Sequence, residues 1–165
     1  MTKLEKKVAL VAHDNMKIDL AEWVAWNAPL LTNHSLVCTG TTGKMVEKTI
    51  VNYHIDDKHK MGTPNAPIAQ LDITLLKSGP LGGDQQLGSM IADNQISALI
   101  FFWDPMSAQP HDVDVKALLR LATLYNVPTA FNRSSADYII SSPLFTNDYV
   151  PEVKDYKAYI ERSIK

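Results

Sequence analysis

The chain has 165 residues, 45% hydrophobic and 21% charged, the balance of one soluble globular domain long enough for its own core. A net charge of −2 supplies no field for nucleic acid or an anionic membrane, so any anion has to be held by local geometry. One cysteine, Cys38, excludes an internal disulfide and fits a reducing cytoplasm. No signal peptide or spanning helix follows the charged start Met1-Thr2-Lys3-Leu4-Glu5-Lys6-Lys7.

Val8-Ala9-Leu10-Val11-Ala12 is a short continuous apolar run, the pattern of a strand covered on both faces. It ends at His13-Asp14, and Asp14 can cap a helix running to about residue 26. Ser35-Leu36-Val37-Cys38-Thr39 predicts a second strand, stopping at Gly40-Thr41-Thr42-Gly43, with a helix starting near Lys44. Residues 52–68 break the rhythm with a charge run, Gly62, Pro64 and Pro67, which reads as an exposed excursion. A third strand over residues 71–77 leads into Ser78-Gly79-Pro80-Leu81-Gly82-Gly83-Asp84-Gln85-Gln86, a glycine-rich joint before a helix from Asp84 to about Asp93.

Ala98-Leu99-Ile100-Phe101-Phe102-Trp103 is the strongest strand, too apolar to have a wet face, and it ends at Asp104-Pro105. A loop over 106–112 precedes a helix over 113–125, and Val127-Pro128-Thr129-Ala130-Phe131 is a fifth strand. Ser134 or Ser135 can cap a short helix that stops before Pro143, and the tail from Pro151 to Lys165 reads as helical. Strands alternating with helices predict an α/β fold: a single domain over 1–165 with an open, doubly wound parallel five-stranded sheet and helices on both faces. Such sheets bind ligands beyond the carboxyl ends of their strands, where every polar cluster of this chain falls.

Thr39 to Gly43 supplies small hydroxyls and glycines before a helix, either a phosphate cradle or an ordinary helix start. It lacks the spacing of a P-loop, and no G-x-G-x-x-G follows a strand. Lys17 can reach back over its strand end toward a phosphate, or remain a solvated lysine. Asp84 stands at a helix start, a common cap position where first-turn N–H groups favour a carboxylate, behind glycines that let backbone N–H groups approach a ligand. His111 and Asp114 are three apart and can share one face at the helix start; a histidine, whose charge is tunable near neutrality, suits proton shuttling, while Asp112 can be a cap. Metal-ligand spacing and a G-x-S-x-G elbow are both missing, so metal-free acid–base chemistry on a small phosphorylated ligand is the reading these residues support. His54 and His59, in the polar excursion, read as solvated.

Five stretches carry a resemblance: Val11-Ala12-His13-Asp14, Thr39-Gly40-Thr41-Thr42-Gly43, the whole 78–86 joint, Phe101-Phe102-Trp103-Asp104-Pro105, and Pro110-His111-Asp112-Val113-Asp114 continued to Arg120. In this order, over nearly the whole chain, they resemble methylglyoxal synthase. The resemblance implies conversion of dihydroxyacetone phosphate to methylglyoxal and inorganic phosphate without metal or organic cofactor, in a cytoplasmic homohexamer. It implies Asp84 as the base, His111 moving protons between substrate oxygens, and Asp114 and Asp104 as nearby catalytic acids. Lys17, Thr39, Gly40, Thr41, Thr42, Ser78 and Gly79 would hold the phosphate, with His13 and Asp14 completing the substrate site. Residues at about 50–68 look like a surface insertion, a length loops absorb at small entropic cost. Of the family's phosphate-linked arginine pair between subunits, Arg120 matches and Arg162 stands one place out of register, which bears on phosphate as an inhibitor. Two rivals remain at this point: a noncatalytic module like the regulatory domain of carbamoyl phosphate synthetase, and another enolising enzyme such as a phosphosugar isomerase.

Overall fold

The computed structural model describes residues 7–61, 71–108 and 112–162; His111, Gly62, Pro64 and Pro67 lie outside them. Five strands, β1 (Lys7–Ala12), β2 (Ser35–Cys38), β3 (Ile73–Leu75), β4 (Ile96–Phe102) and β5 (Thr129–Ala130), form one sheet in the order β3-β2-β1-β4-β5. Every pairing is parallel, with Leu10 opposite both Cys38 and Ile100. The predicted architecture is therefore the observed one.

The apolar runs of β1 and β4 are continuous because both faces of the sheet are covered. Alternate residues go to opposite sides. Val8, Leu10, Ile100 and Phe102 pack on one face with α1 (Lys17–Leu31), α2 (Gly40–Met61) and α5 (Arg133–Ser141). Ala9, Val11, Leu99 and Phe101 pack on the other with α3 (Gly83–Ala92) and α4 (Asp112–Leu124). Phe101 and Phe102, back to back in β4, are both fully buried. Each contributes roughly 2–3 kcal/mol by burial.

Several boundaries differ from the sequence reading, each for a local reason. α1 runs past residue 26 to Leu31 with Pro29 inside it. Ala28 and Leu31 are buried there, and the Thr32 hydroxyl and Asn33 amide donate to the carbonyls of Ala28 and Pro29. Residues 52–61 continue α2 instead of leaving the fold. Asn52 and Asp56 are exposed on its solvated side, and the first helix breaker, Gly62, lies beyond in the sequence. His54 is only half exposed, with its Nε2 buried, so it is not the solvated residue its polar neighbours suggested. Asn132, not Ser134 or Ser135, caps α5 through the Ser135 N–H at 2.9 Å. Ser142 caps the following short helix α6 (Pro143–Thr146), and among the described residues of the tail the four of α7 (Lys157–Ile160) are helical.

His34, just before β2, lies half-buried with its ring 4.7 Å from that of Phe145. Burial holds its pKa below the ordinary 6.5. The unfolded chain then binds a proton that the folded chain refuses, so stability falls as pH drops below about 6.5. Thermal unfolding at fixed protein concentration should show a shallower loss between about pH 7 and 5 for His34→Gln than for the parent. Equal slopes would remove His34 from the acid response.

Candidate active site

The strand order reverses between β1 and β4, so the loops leaving their carboxyl ends diverge and open a crevice. A cleft of about 340 Å³ opens there. Three loops contribute polar walls: His13, Asp14 and Lys17 after β1; Thr39, Thr41 and Thr42 after β2; Ser78, Gly79 and Asp84 after β3. Val11, Ala12, Pro80 and Phe101 make the apolar remainder, which the sequence reading did not name.

The β2 and β3 loops touch main chain to main chain. Gly40 has φ +45°, and a Cβ there would come within 2.7 Å of the Ser78 Cα. Its N–H donates to the carbonyls of Leu76 and Lys77. Gly40 therefore shapes the cradle without lining it. α2 begins at Gly40, four residues before the sequence reading put its start, so its first turn carries Thr41 and Thr42 of the cleft wall.

Lys17 is the cation of the cradle. Its Nζ donates to the Thr41 hydroxyl and lies 2.6 Å from Asp14 Oδ1. The Lys17 ammonium, through the hydrogen bond it donates to Asp14 Oδ1 and through its charge, holds the exposed Asp14 carboxyl below the usual carboxylate range. Asp14 opens a short 3₁₀ turn, Asp14–Met16, with α1 starting at Lys17 itself, so its carboxylate serves the lysine and not as the cap expected of it. Thr42 donates to the Ala12 carbonyl at 3.4 Å, tying the start of α2 to the end of β1.

Asp84 is 4% exposed and stands in the first turn of α3. The cap position is Gly82, at φ +99°, and no side chain caps this helix. Asp84 is thus a buried wall of the cleft and not the capping carboxylate. Gly79–Leu81 forms a 3₁₀ turn closed by the Leu81 N–H on the Ser78 carbonyl, and Gly83 donates to the same carbonyl at 2.9 Å. Lys77 N–H donates to Gln86 Oε1 at 2.9 Å, locking the loop onto the second half of the helix turn.

Asp104 is buried behind His13 and does not line the cleft. Its Oδ2 accepts from Asn15 Nδ2 and its Oδ1 from the Met106 N–H, each at 2.9 Å. These donors, Asn15 first, hold its carboxyl below the ordinary range. Its own N–H donates to His13 Nδ1 at 3.1 Å. Asp114 is half-buried in the first turn of α4, outside the cleft wall, next to an exposed Asp112–Lys116 pair at 3.0 Å. Cys38 is buried, its thiol pushed up to about 12 by burial, so it is not a nucleophile.

Among the described residues no three His, Cys, Asp or Glu side chains are grouped to hold a metal ion. Nor is any helix among them long and apolar enough to cross a membrane. The cleft thus joins an anion cradle to a buried carboxylate across a partly apolar floor. That combination can bind a phosphate ester and take a proton from its carbon skeleton.

Residues 19–131 match the MGS-like domain family. The methylglyoxal synthase of Maridesulfovibrio salexigens is 52% identical over 96% of this chain and 98% of its own length. That of Coxiella burnetii is 49% identical over 96% and 98%. The crystal structure of methylglyoxal synthase from Elizabethkingia anophelis superposes with a TM-score of 0.78 at 46% identity, covering 98% of this chain and 94% of that one. With likeness of this extent in sequence and in fold, the chain belongs to the methylglyoxal synthase family.

Proposed function

We propose that this chain converts dihydroxyacetone phosphate to methylglyoxal and inorganic phosphate in the cleft at the β1–β4 switch point. The observation that carries the reading is the buried carboxylate of Asp84 on the same cleft as the Lys17–Thr41 cradle. The phosphate sits against Lys17, Thr39, Thr41, Thr42 and the Ser78-Gly79 turn. The rest of a three-carbon substrate then reaches toward Asp84.

Asp84 removes a proton from the hydroxymethyl carbon, and the electron pair moves onto the carbonyl oxygen as an enediolate. His13 faces the cleft and stabilises the oxygen as charge develops. His111, which precedes α4 in the sequence, passes protons between the two oxygens on this reading, with Asp114 as its acidic neighbour. The enediolate then collapses, breaking the bond from carbon to the phosphate oxygen. Phosphate leaves into the cradle, and the enol that remains takes up a proton to become methylglyoxal. The apolar wall of Val11 and Phe101 limits water, which keeps the intermediate from being reprotonated too early.

Inorganic phosphate, as product, competes for the cradle that holds the substrate's phosphate. The protein works as a homohexamer in the cytoplasm on this reading. Support for assembly comes from large apolar side chains left exposed on one chain, including Trp26, Met106 and Val113. Arg120 is exposed on α4, and the Arg162 guanidinium stacks over the Tyr159 ring at 3.9 Å, so its charge is engaged within its own chain. Incubation with dihydroxyacetone phosphate should yield free phosphate and the dicarbonyl in equal amounts. Conversion to an isomeric triose phosphate without phosphate release would replace the reading with an isomerase.

A further inference from the structure

Resting on the reaction proposed above, we propose that Asn15 is a positioning residue. Through Asp104 it holds His13 as the neutral imidazole with its proton on Nε2, the form that donates to the substrate oxygen.

The connection closes on itself. The His13 main chain is fixed by its N–H on the Phe102 carbonyl at 3.2 Å, at the end of the β1–β4 ladder. Its ring stands edge-on to Phe101 at 5.1 Å, which sets the ring plane. Within that plane, His13 Nδ1 accepts the Asp104 N–H at 3.1 Å. A ring nitrogen that accepts a backbone N–H carries no proton, so the neutral ring has its proton on Nε2. The direction of that N–H depends on where the loop after β4 sits. Asp104 curls the loop by accepting from the Met106 N–H, an Asx turn. Asn15, two residues after His13, anchors it from across the switch point through the 2.9 Å bond to Asp104 Oδ2. His13 is thus tied to Asn15 by the chain, Asn15 to Asp104 by side chains, and Asp104 back to His13 by a main-chain N–H.

This geometry gives Asp104 a different task from the acid–base role implied by resemblance. Both of its oxygens accept hydrogen bonds and neither lines the cleft. It orients a histidine instead of moving a proton. A neutral donor already aimed at a developing oxyanion needs no reorganisation during the reaction, which is where such donors gain their effect.

Asn15→Asp keeps the size of the side chain but replaces the amide donor with a second carboxylate beside Asp104. Asn15→Ala removes the donor alone. For both, kcat should fall roughly 10–100-fold with KM changed little, because the phosphate cradle is untouched. The second readout is ¹⁵N NMR of histidine-labelled protein, with the His13 signals assigned by their loss in His13→Gln. The parent should show a protonated, pyrrole-type Nε2 and a pyridine-type Nδ1, and Asn15→Asp should show averaging between tautomers. A parent ring with its proton on Nδ1 overturns the proposal, and so does a fall in kcat with the His13 pattern unchanged. Folded variants with unchanged kcat also overturn it. If a variant does not fold by circular dichroism, the parent spectrum decides alone. Absence of phosphate release by the parent would instead refute the proposed reaction, leaving the tautomer to be read from the spectrum.

Discussion

Asp84→Asn should turn over dihydroxyacetone phosphate about 10²–10⁴-fold more slowly than the parent, with KM nearly unchanged. The amide matches the carboxylate in shape, and Asp84 is 4% exposed, so the buried volume is conserved. No cap is lost, because the cap position of α3 is Gly82 and no side chain caps the helix. What is lost is the carboxylate's charge and with it the ability to take a proton from carbon. On the proposed reading, phosphate binding rests on the loops after β1 and β2 and on Ser78-Gly79, whose residues the substitution leaves in place. Steady-state phosphate release, with thermal unfolding as the check on folding, measures both parts. A folded Asp84→Asn protein with near-parent kcat would take the base away from Asp84.

The second large effect is structural and lies one residue earlier. A Cβ on Gly83 would stand 1.9 Å from the Lys77 carbonyl oxygen and 3.0 Å from the Ser78 carbonyl carbon. Both atoms are main chain at the end of β3, so neither can swing aside as a side-chain tip would. Either the first turn of α3 or the loop beneath it has to move, and the Gly83 N–H bond to the Ser78 carbonyl strains with it. Overpacking of this kind costs about 3 kcal/mol, the upper part of its usual range, which for a chain of this size lowers Tm by roughly 10 °C. Asp84 rides on that turn, so activity falls as well. Gly88→Ala is the control: its Cβ would meet only the Leu121 Cδ1 at 3.0 Å, the movable end of a side chain. Differential scanning calorimetry at one protomer concentration should show a large drop for Gly83→Ala and a small change for Gly88→Ala. Similar Tm values for the two would contradict the backbone contact.

The frame was legible because its strands are buried on both faces. Runs such as Val8 to Ala12 and Ala98 to Phe102 have no polar alternation to confuse with a helix, and the polar clusters follow each run directly. A site at the ends of parallel strands then follows from topology. The misread segments share one cause, composition read without packing. Polar residues 52–56 looked like loop, yet Ile50 and Tyr53 hold that side of α2 to the core. The first helix was expected to stop near residue 26, yet the burial of Ala28 and Leu31 carries α1 on through Pro29. The Asn15–Asp104 bond had no local signature at all, since it joins residues 89 apart in the chain. Asp104 consequently read as one more acid near the site, when its neighbours make it an acceptor with both oxygens engaged.

One incubation tests the central claim most directly: dihydroxyacetone phosphate with the protein in D₂O, followed by ³¹P and ¹H NMR against Asp84→Asn as the control for spontaneous breakdown. The account predicts one free phosphate for each methylglyoxal. The first-formed product should carry a single deuterium in its methyl group, placed there when the enol takes up its proton from solvent. Deuterium appearing in triose phosphate while no phosphate is released, or substrate left unconsumed, would contradict it.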